Sequence, residues 1–259
     1  SRSSISFISG SPRGAKKKIH LTSDVECMVE CINIILGKEH QMRFEKERTL
    51  LADIGREFLG TGMTVATGGN ISLRVPGEGV MIITPSGMDY RTLAGEDMCI
   101  LEVETGKQVE GERTPSSETP MHLAVYRKRD DFNAVAHTHP PYCTAFSMIR
   151  ESIPLVHYLI PVLGSSIPVA EYATYGTEAM GPAALAALEE SAAVILPNHG
   201  LLTAGADITQ AVNRSGIAEY IAHSYALARG LGTPVILPDK EAGNLREQFG
   251  KYGQRNTGE

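Results

Sequence analysis

The sequence predicts a single α/β domain with a mixed, mostly antiparallel central sheet flanked by helices. Three observations carry this. Short apolar runs of strand length recur along the chain. Amphipathic windows of helix length lie between them. Some neighbouring runs are joined by tight turns that suit hairpins rather than crossovers.

The folded unit is expected to span 41–259, with 1–40 as an extension. Residues 1–20 are rich in Ser, Gly and Lys and contain no acid. That composition fits a flexible arm, a tag remnant or a transit peptide, but lacks the apolar core of a secretory signal. A short helix is expected over 24–36. From Phe44 to Leu59 the spacing is helical, with Leu51, Ile54, Phe58 and Leu59 on one side, and Gly60 and Gly62 end it. Thr67-Gly68-Gly69-Asn70 reads as a turn into a strand, Val80–Thr84 as a strand, and Pro85-Ser86-Gly87 as a turn. Cys99–Val103 reads as a strand, with a hairpin turn at Thr105-Gly106-Lys107. Pro115-Ser116-Ser117-Glu118 opens a helix that runs through Tyr126. Asn133–Ala136 is a buried strand, Pro141–Ile149 a helix, Ile167–Ala170 a short strand and Thr177–Glu190 an alanine-rich helix. Ala192–Leu196 and Leu201–Thr203 are strands. A long helix follows from Asp207, its cap, to Leu231, and a charged one from Lys240 to Tyr252.

With 42% hydrophobic and 21% charged residues, the chain has the balance of a globular protein with a substantial core. A net charge of -6 argues against a general nucleic-acid surface. No apolar run reaches membrane-spanning length. Cys27, Cys31, Cys99 and Cys143 are scattered and form no Cys-X-X-Cys pair, so they read as reduced thiols of a cytoplasmic protein.

The chemistry concentrates at His137-Thr138-His139. Residues two apart on a strand face the same way, so both imidazoles enter one space, where they can bind a divalent metal, commonly zinc. The bland reading is a strand end that happens to hold two histidines. Glu118 and His199, each in a turn, offer further ligands. His122 lies one helical turn past Glu118 and is a rival; deeper in its helix, it reads better as a hydrogen-bonded core histidine. Three turns are rich in small donors: Gly69 and Asn70, Ser86 and Gly87, and Ser116 and Ser117. Together they could cradle a phosphate if the fold brings them together. No lysine sits in any of these motifs, which leaves a Schiff-base mechanism without support.

Seven segments, in order, resemble the class II aldolase/adducin family. They are Thr67-Gly68-Gly69-Asn70-Ile71-Ser72, Ile83-Thr84-Pro85-Ser86-Gly87, Pro115-Ser116-Ser117-Glu118, His137-Thr138-His139, Ile153–Tyr158, Tyr172-Ala173-Thr174-Tyr175-Gly176-Thr177, and Asn198-His199-Gly200-Leu201. The resemblance runs from about Glu47 to Arg255. It implies a nine-stranded sheet and a zinc site of Glu118, His137, His139 and His199. It implies substrate or phosphate contacts from Gly69, Asn70, Ser86, Gly87, Ser116 and Ser117. It also implies a homotetramer with active sites at subunit interfaces, to which Tyr158 of a neighbouring subunit brings an acid/base and Tyr252 steers the aldehyde.

The activity implied is cleavage of a sugar phosphate. The Tyr158 segment, the Tyr172–Thr177 segment and Lys251–Arg255 are most like the branch that splits L-fuculose 1-phosphate into dihydroxyacetone phosphate and L-lactaldehyde. Two departures bear on the substrate. Thr138 stands where that branch carries Asn. Glu118-Thr119-Pro120-Met121-His122 resembles the L-ribulose-5-phosphate 4-epimerase branch, which carries Asp at the position of Glu118. The same scaffold also hosts aldolases for 5-deoxypentulose 1-phosphates, sugar-acid phosphate decarboxylases and a methylthioribulose phosphate dehydratase. A non-catalytic adducin-like module is disfavoured by the intact ligand set.

Overall fold

The computed structural model describes residues 42–251. The expected helix over 24–36, Cys27, Cys31, Tyr252 and Arg255 lie outside the described residues.

Helix α1, Glu45–Gly60, carries Glu45 and Glu47 in its first turn, where the helix dipole favours acids. It buries Leu51, Ala52 and Phe58. Strands β1 (Asn70–Val75), β2 (Val80–Ile83), β3 (Cys99–Glu102) and β4 (Gln108–Glu110) follow as a meander. Helix α2 is Thr119–Lys128, with Pro120 in its first turn and Arg127 and Lys128 in its last. Strand β5 is Ala134–Thr138, helix α3 Pro141–Ile149 and the short helix α4 Ile160–Leu163. Helix α5, Met180–Ala187, precedes β6 (Ala193–Leu196) and β7 (Gly200–Gly205). Helix α6 is Ile208–Leu231, where Asp207 Oδ1 accepts from Gln210 N at 2.7 Å as the expected cap. Helix α7 is Asp239–Lys251. No helix among the described residues is long and apolar enough to cross a membrane.

The sheet order is β4-β3-β2-β1-β5-β7-β6, and every strand pair in it is antiparallel. Seven strands form it among the described residues, where the resemblance implied nine. The expected strand at Ile167–Ala170 is reduced to isolated bridges, Ile153 to Ile167 and a parallel one from Val169 to Ile195. Helix α5 is shorter than the alanine-rich run suggests. Pro182 has no N–H and is tolerated only in a first turn, so the helix starts at Met180 rather than Thr177.

Period-2 alternation sorts the strand residues onto two faces. Met81, Ile83, Cys99, Leu101, Val135, Leu202 and Ala204 pack on one face with Leu123, Val125 and Tyr126 of α2 and Ala184 of α5. Ile71, Leu73, Ile82, Ile100, Ala134 and Ala136 pack on the other with α1. Each fully buried Leu, Ile or Phe contributes about 1.5–3 kcal/mol. His137 shares its face with Val135 and therefore points toward α2, whose N-terminus begins beside Glu118. The register that sets Asn70 opposite His137 brings the β1 turn to the same end.

Candidate metal centre and active site

The two histidines emerge where β5 ends. His137 Nδ1 lies 3.0 Å from the Leu201 carbonyl of β7, to which only an N–H can donate. That contact places a proton on Nδ1 and turns Nε2 toward the cluster. His139 Nε2 lies 2.9 Å from His137 Nε2. His199, in the turn between β6 and β7, completes the cluster, with ring centroids 4.7 Å from His137 and 5.0 Å from His139. Glu118 closes the fourth side: Oε2 is 3.1 Å from His137 Nε2, and Oε1 is 3.4 Å from His199 Nε2.

This donor set fits a divalent cation. Glu118 is 4% exposed, yet its Oε1 has no hydrogen-bond partner. An orphaned buried carboxylate oxygen is costly unless a cation compensates it. The spacing between His137 and His139 is close to the roughly 3.3 Å edge that metal–nitrogen bonds of about 2.0–2.1 Å span in a tetrahedral site.

Electrostatics keep the ligands in binding form. Burial works to raise the Glu118 carboxyl, but His137, then His199 and the Asn70 amide, overturn it and bring it down to about 2. Burial first, then neighbouring imidazoles, lowers His139 and His199 to about 4. Burial lowers His122 to about 3. These three imidazoles are therefore neutral at neutral pH. The unfolded chain takes up their protons at about pH 6.5, so it binds more protons than the folded chain from there down to about pH 4. Metal-free protein should accordingly lose stability as pH falls through that window. Thermal melts in chelator from neutral pH into the acid range check this, and a melting temperature flat across the window would contradict it.

Two of the donor-rich turns pair with each other. Pro85 bridges Pro115, Ser86 N donates to the Thr114 carbonyl at 2.9 Å, and Ser116 N donates to the Thr84 carbonyl at 3.2 Å. Thr84 N in turn donates to the Ile71 carbonyl at 3.1 Å, which ties these two turns to β1. Ser86, Gly87, Ser116 and Ser117 thus share one rim, with Gly87 at φ 66°. Ser116 Oγ accepts from Glu118 N at 3.3 Å, at the start of α2. Gly69, at φ 75°, could not carry a side chain: a Cβ would lie 2.8 Å from the His137 carbonyl oxygen. Its own carbonyl accepts from the Tyr90 hydroxyl at 2.8 Å. The Asn70 side chain is turned inward, its Nδ2 donating to Glu118 Oε2 at 2.7 Å and its Oδ1 lying 2.6 Å from His122 Nε2.

His122 is fully buried and bonded to Asn70 and Ser72, as its depth in the helix suggests. Thr138 is fully buried between the two histidines in sequence, and its Oγ1 is unpartnered. Tyr158 is 53% exposed, and its ring neighbours are His157 and Phe249. No hydrogen bond or ring contact joins it to the histidine cluster among the described residues. Cys99 and Cys143 are buried free thiols.

Sequence reasoning assigns no role to Tyr175, Ser72, Tyr126 or Tyr90. Tyr175 stands edge-on to His199, with centroids 5.8 Å apart, and its hydroxyl meets Ser117 Oγ at 2.6 Å. The Tyr172–Thr177 motif is the signal that points to it. The other three are buried and read as ordinary core.

Comparison with known proteins agrees with this geometry. The family described as Class II Aldolase and Adducin N-terminal domain matches residues 49–226. The chain is 39% identical to the 5-deoxy-D-ribulose 1-phosphate aldolase of Bacillus thuringiensis serovar kurstaki, over 83% of this chain and 100% of that protein. It is 36% identical to the L-fuculose phosphate aldolase of Escherichia coli K12, over 81% of this chain and 98% of that one. A solved structure of an L-fuculose 1-phosphate aldolase superposes with a TM-score of 0.77 at 40% identity, covering 79% of this chain and 96% of that one. With three imidazoles and a carboxylate gathered at the end of an antiparallel sheet, and full-length similarity to named aldolases, this chain belongs to the class II aldolase and adducin family and is a class II aldolase.

Proposed function

We propose that the enzyme is a zinc-dependent lyase that splits a 1-phosphorylated deoxyketose into dihydroxyacetone phosphate and a short aldehyde. One observation carries the reading. Glu118, His137, His139 and His199 form a single ligand cluster with an orphaned carboxylate oxygen, beside a rim of donor-rich turns. A divalent cation held there supplies positive charge next to the ketone and adjacent hydroxyl oxygens, where the electrons of a broken C–C bond collect.

The chain's own residues divide the remaining work. Gly69, Asn70, Ser86, Gly87, Ser116 and Ser117 lie on or beside the rim; their N–H and O–H groups suit a phosphate, with the Asn70 amide already engaged at Glu118. A catalytic metal needs an open position, and four protein ligands leave none in a tetrahedral site. Glu118 is the ligand suited to yield, since Asn70 holds its Oε2 independently of any metal. Free of the cation, the Glu118 carboxylate could take up a proton from solvent and deliver it to C3 as dihydroxyacetone phosphate forms, matching the proton lost from the C4 hydroxyl. Tyr158 of a neighbouring subunit of a homotetramer would relay the C4 hydroxyl proton through its own hydroxyl to solvent, with Tyr252 beside the aldehyde. Exposure of Tyr158 on this chain supports such a role across an interface. Tyr158→Phe should lower kcat by roughly 10²–10⁴-fold, the usual range for one general acid/base. Bound zinc should be unchanged in that variant. A kcat equal to wild type would remove Tyr158 from the mechanism.

L-Fuculose 1-phosphate, with L-lactaldehyde as product, and 5-deoxyribulose 1-phosphate, with acetaldehyde, both end in a methyl group and both deliver the same phosphate-bearing half. The resemblance favours the first, and the 39% identical relative supports the second. Glu rather than Asp at position 118 favours cleavage over 4-epimerisation. Incubation with ketose 1-phosphates and 5-phosphates, with products separated from their stereoisomers by chromatography and read by mass spectrometry, decides. Dihydroxyacetone phosphate plus an aldehyde supports the proposal. An isomerised pentulose 5-phosphate with no aldehyde would make the enzyme an epimerase. The cytoplasm is the proposed location.

A further inference from the structure

We infer that His122 is a positioning residue: through Asn70 it holds the Glu118 carboxylate in one orientation and leaves Oε1 free for the cation. This rests on the metal-centre reading above. The observation is a buried chain of hydrogen bonds whose direction can be worked out at every link.

The chain runs from Tyr126 OH to Ser72 Oγ at 2.7 Å, then to His122 Nδ1 at 2.6 Å. It continues from His122 Nε2 to Asn70 Oδ1 at 2.6 Å and from Asn70 Nδ2 to Glu118 Oε2 at 2.7 Å. A carboxylate can only accept, so the Asn70 group facing it must be the amide N–H. The Asn70 carbonyl therefore faces His122 and must receive a proton, which places the His122 proton on Nε2. A neutral imidazole has one proton, so Nδ1 accepts, and Ser72 must donate to it. Ser72 has one proton and spends it there, so it accepts from the Tyr126 hydroxyl. Burial supports both ends of this sequence: it lowers His122 to about 3 and pushes the Tyr126 phenol up, so the imidazole is neutral and the phenol keeps its proton.

The amide of Asn70 is the weak link without His122. Either end of an amide fits the same space, and a flipped amide would set a carbonyl oxygen against the carboxylate. His122 reinforces the orientation that the carboxylate selects: a flipped amide would set an N–H against Nε2–H unless the imidazole changed tautomer and the Ser72 hydroxyl turned with it. Ser72 and Tyr126, fixed on β1 and α2, hold the imidazole ring in turn. Oε1 at the far end is the outcome: one oxygen is pinned by Asn70, and the other has no hydrogen bond and faces His199.

The test measures zinc affinity by competition with a chromophoric chelator, together with the imidazole tautomer by ¹⁵N NMR of metal-free protein. His122→Phe keeps the ring volume and loses both polar atoms. It should weaken zinc by roughly 10–100-fold, as loss of an outer hydrogen-bond partner does. His122→Gln can donate to Asn70 and accept from Ser72, and should recover most of that loss. If His122→Phe does not fold by circular dichroism, Ser72→Ala breaks the chain one step earlier and should weaken zinc by about tenfold. The wild-type spectrum should show His122 protonated at Nε2. Wild-type zinc affinity in the folded His122→Phe protein, or in Ser72→Ala, would overturn the inference, as would an Nδ1-protonated His122. A wild-type chain that binds no zinc would instead overturn the metal-centre reading, and this inference with it.

Discussion

His137→Ala should lose bound zinc and aldol cleavage together. His137 is fully buried, and its ring is central to the cluster: its Nε2 faces both His139 Nε2 and Glu118 Oε2. Alanine would delete one ligand and leave a cavity. It would also remove the main group that offsets burial of the Glu118 carboxyl, whose acidity depends on His137 before any other partner. The carboxylate would then be buried with less compensation, so the remaining ligands would be poorly prepared as well. Loss of a single electrostatic stabiliser costs on the order of 10²–10³-fold in kcat. Loss of the cation that this site is built around should cost at least that. Zinc content by atomic absorption and kcat by coupled detection of dihydroxyacetone phosphate check the two losses. Full activity in metal-free His137→Ala would refute metal-dependent cleavage at this site.

The readable part of this fold is what short-range physics determines. His137 and His139 share a face because the strand period is two, and the cluster bears that out. Helix α3 is bounded by Pro140-Pro141 at one end, and α6 by the Asp207 cap. What local patterns cannot give is the partner of each strand. Pairing β1 with β5 joins Asn70 to His137 across a long stretch of chain, and nothing in either run names the other. That pairing makes the centre, because it delivers Asn70 to Glu118. The glycines beside Asn70 suggest an anion donor, while its side chain is engaged inside the site. Ser72 and Tyr126 are invisible in sequence for a related reason: a serine in a strand and a tyrosine on a helix's buried face become a chain only when the two elements pack. Tyr158 is the converse case. Its role is implied by resemblance alone, and its surroundings in one chain neither supply nor need it.

Gly200→Ala should be the most crowded glycine-to-alanine change among the described residues. Gly200 follows His199 and opens β7, where it pairs with Leu196. A Cβ there would collide with the Thr138 carbonyl oxygen and lie 2.7 Å from His139 Cδ2. The first obstacle is backbone in the middle of the sheet and cannot swing aside. The second is a ligand ring that can move only by leaving the cluster. Overpacking a filled interior costs about 1–3 kcal/mol, and a domain of this size loses roughly 2–4 °C of melting temperature per kcal/mol. A fall of several degrees is therefore expected, with weaker zinc binding because His139 and His199 both shift. Gly216→Ala provides the contrast. It lies in α6 with nothing within 4 Å of a new Cβ, so alanine should stabilise that helix by roughly 0.5–1 kcal/mol and leave zinc affinity alone. Differential scanning calorimetry and chelator competition on the pair separate loss of glycine as such from loss of the space this glycine keeps clear. If both variants melt and bind zinc alike, the histidine pair does not depend on the clearance beneath it.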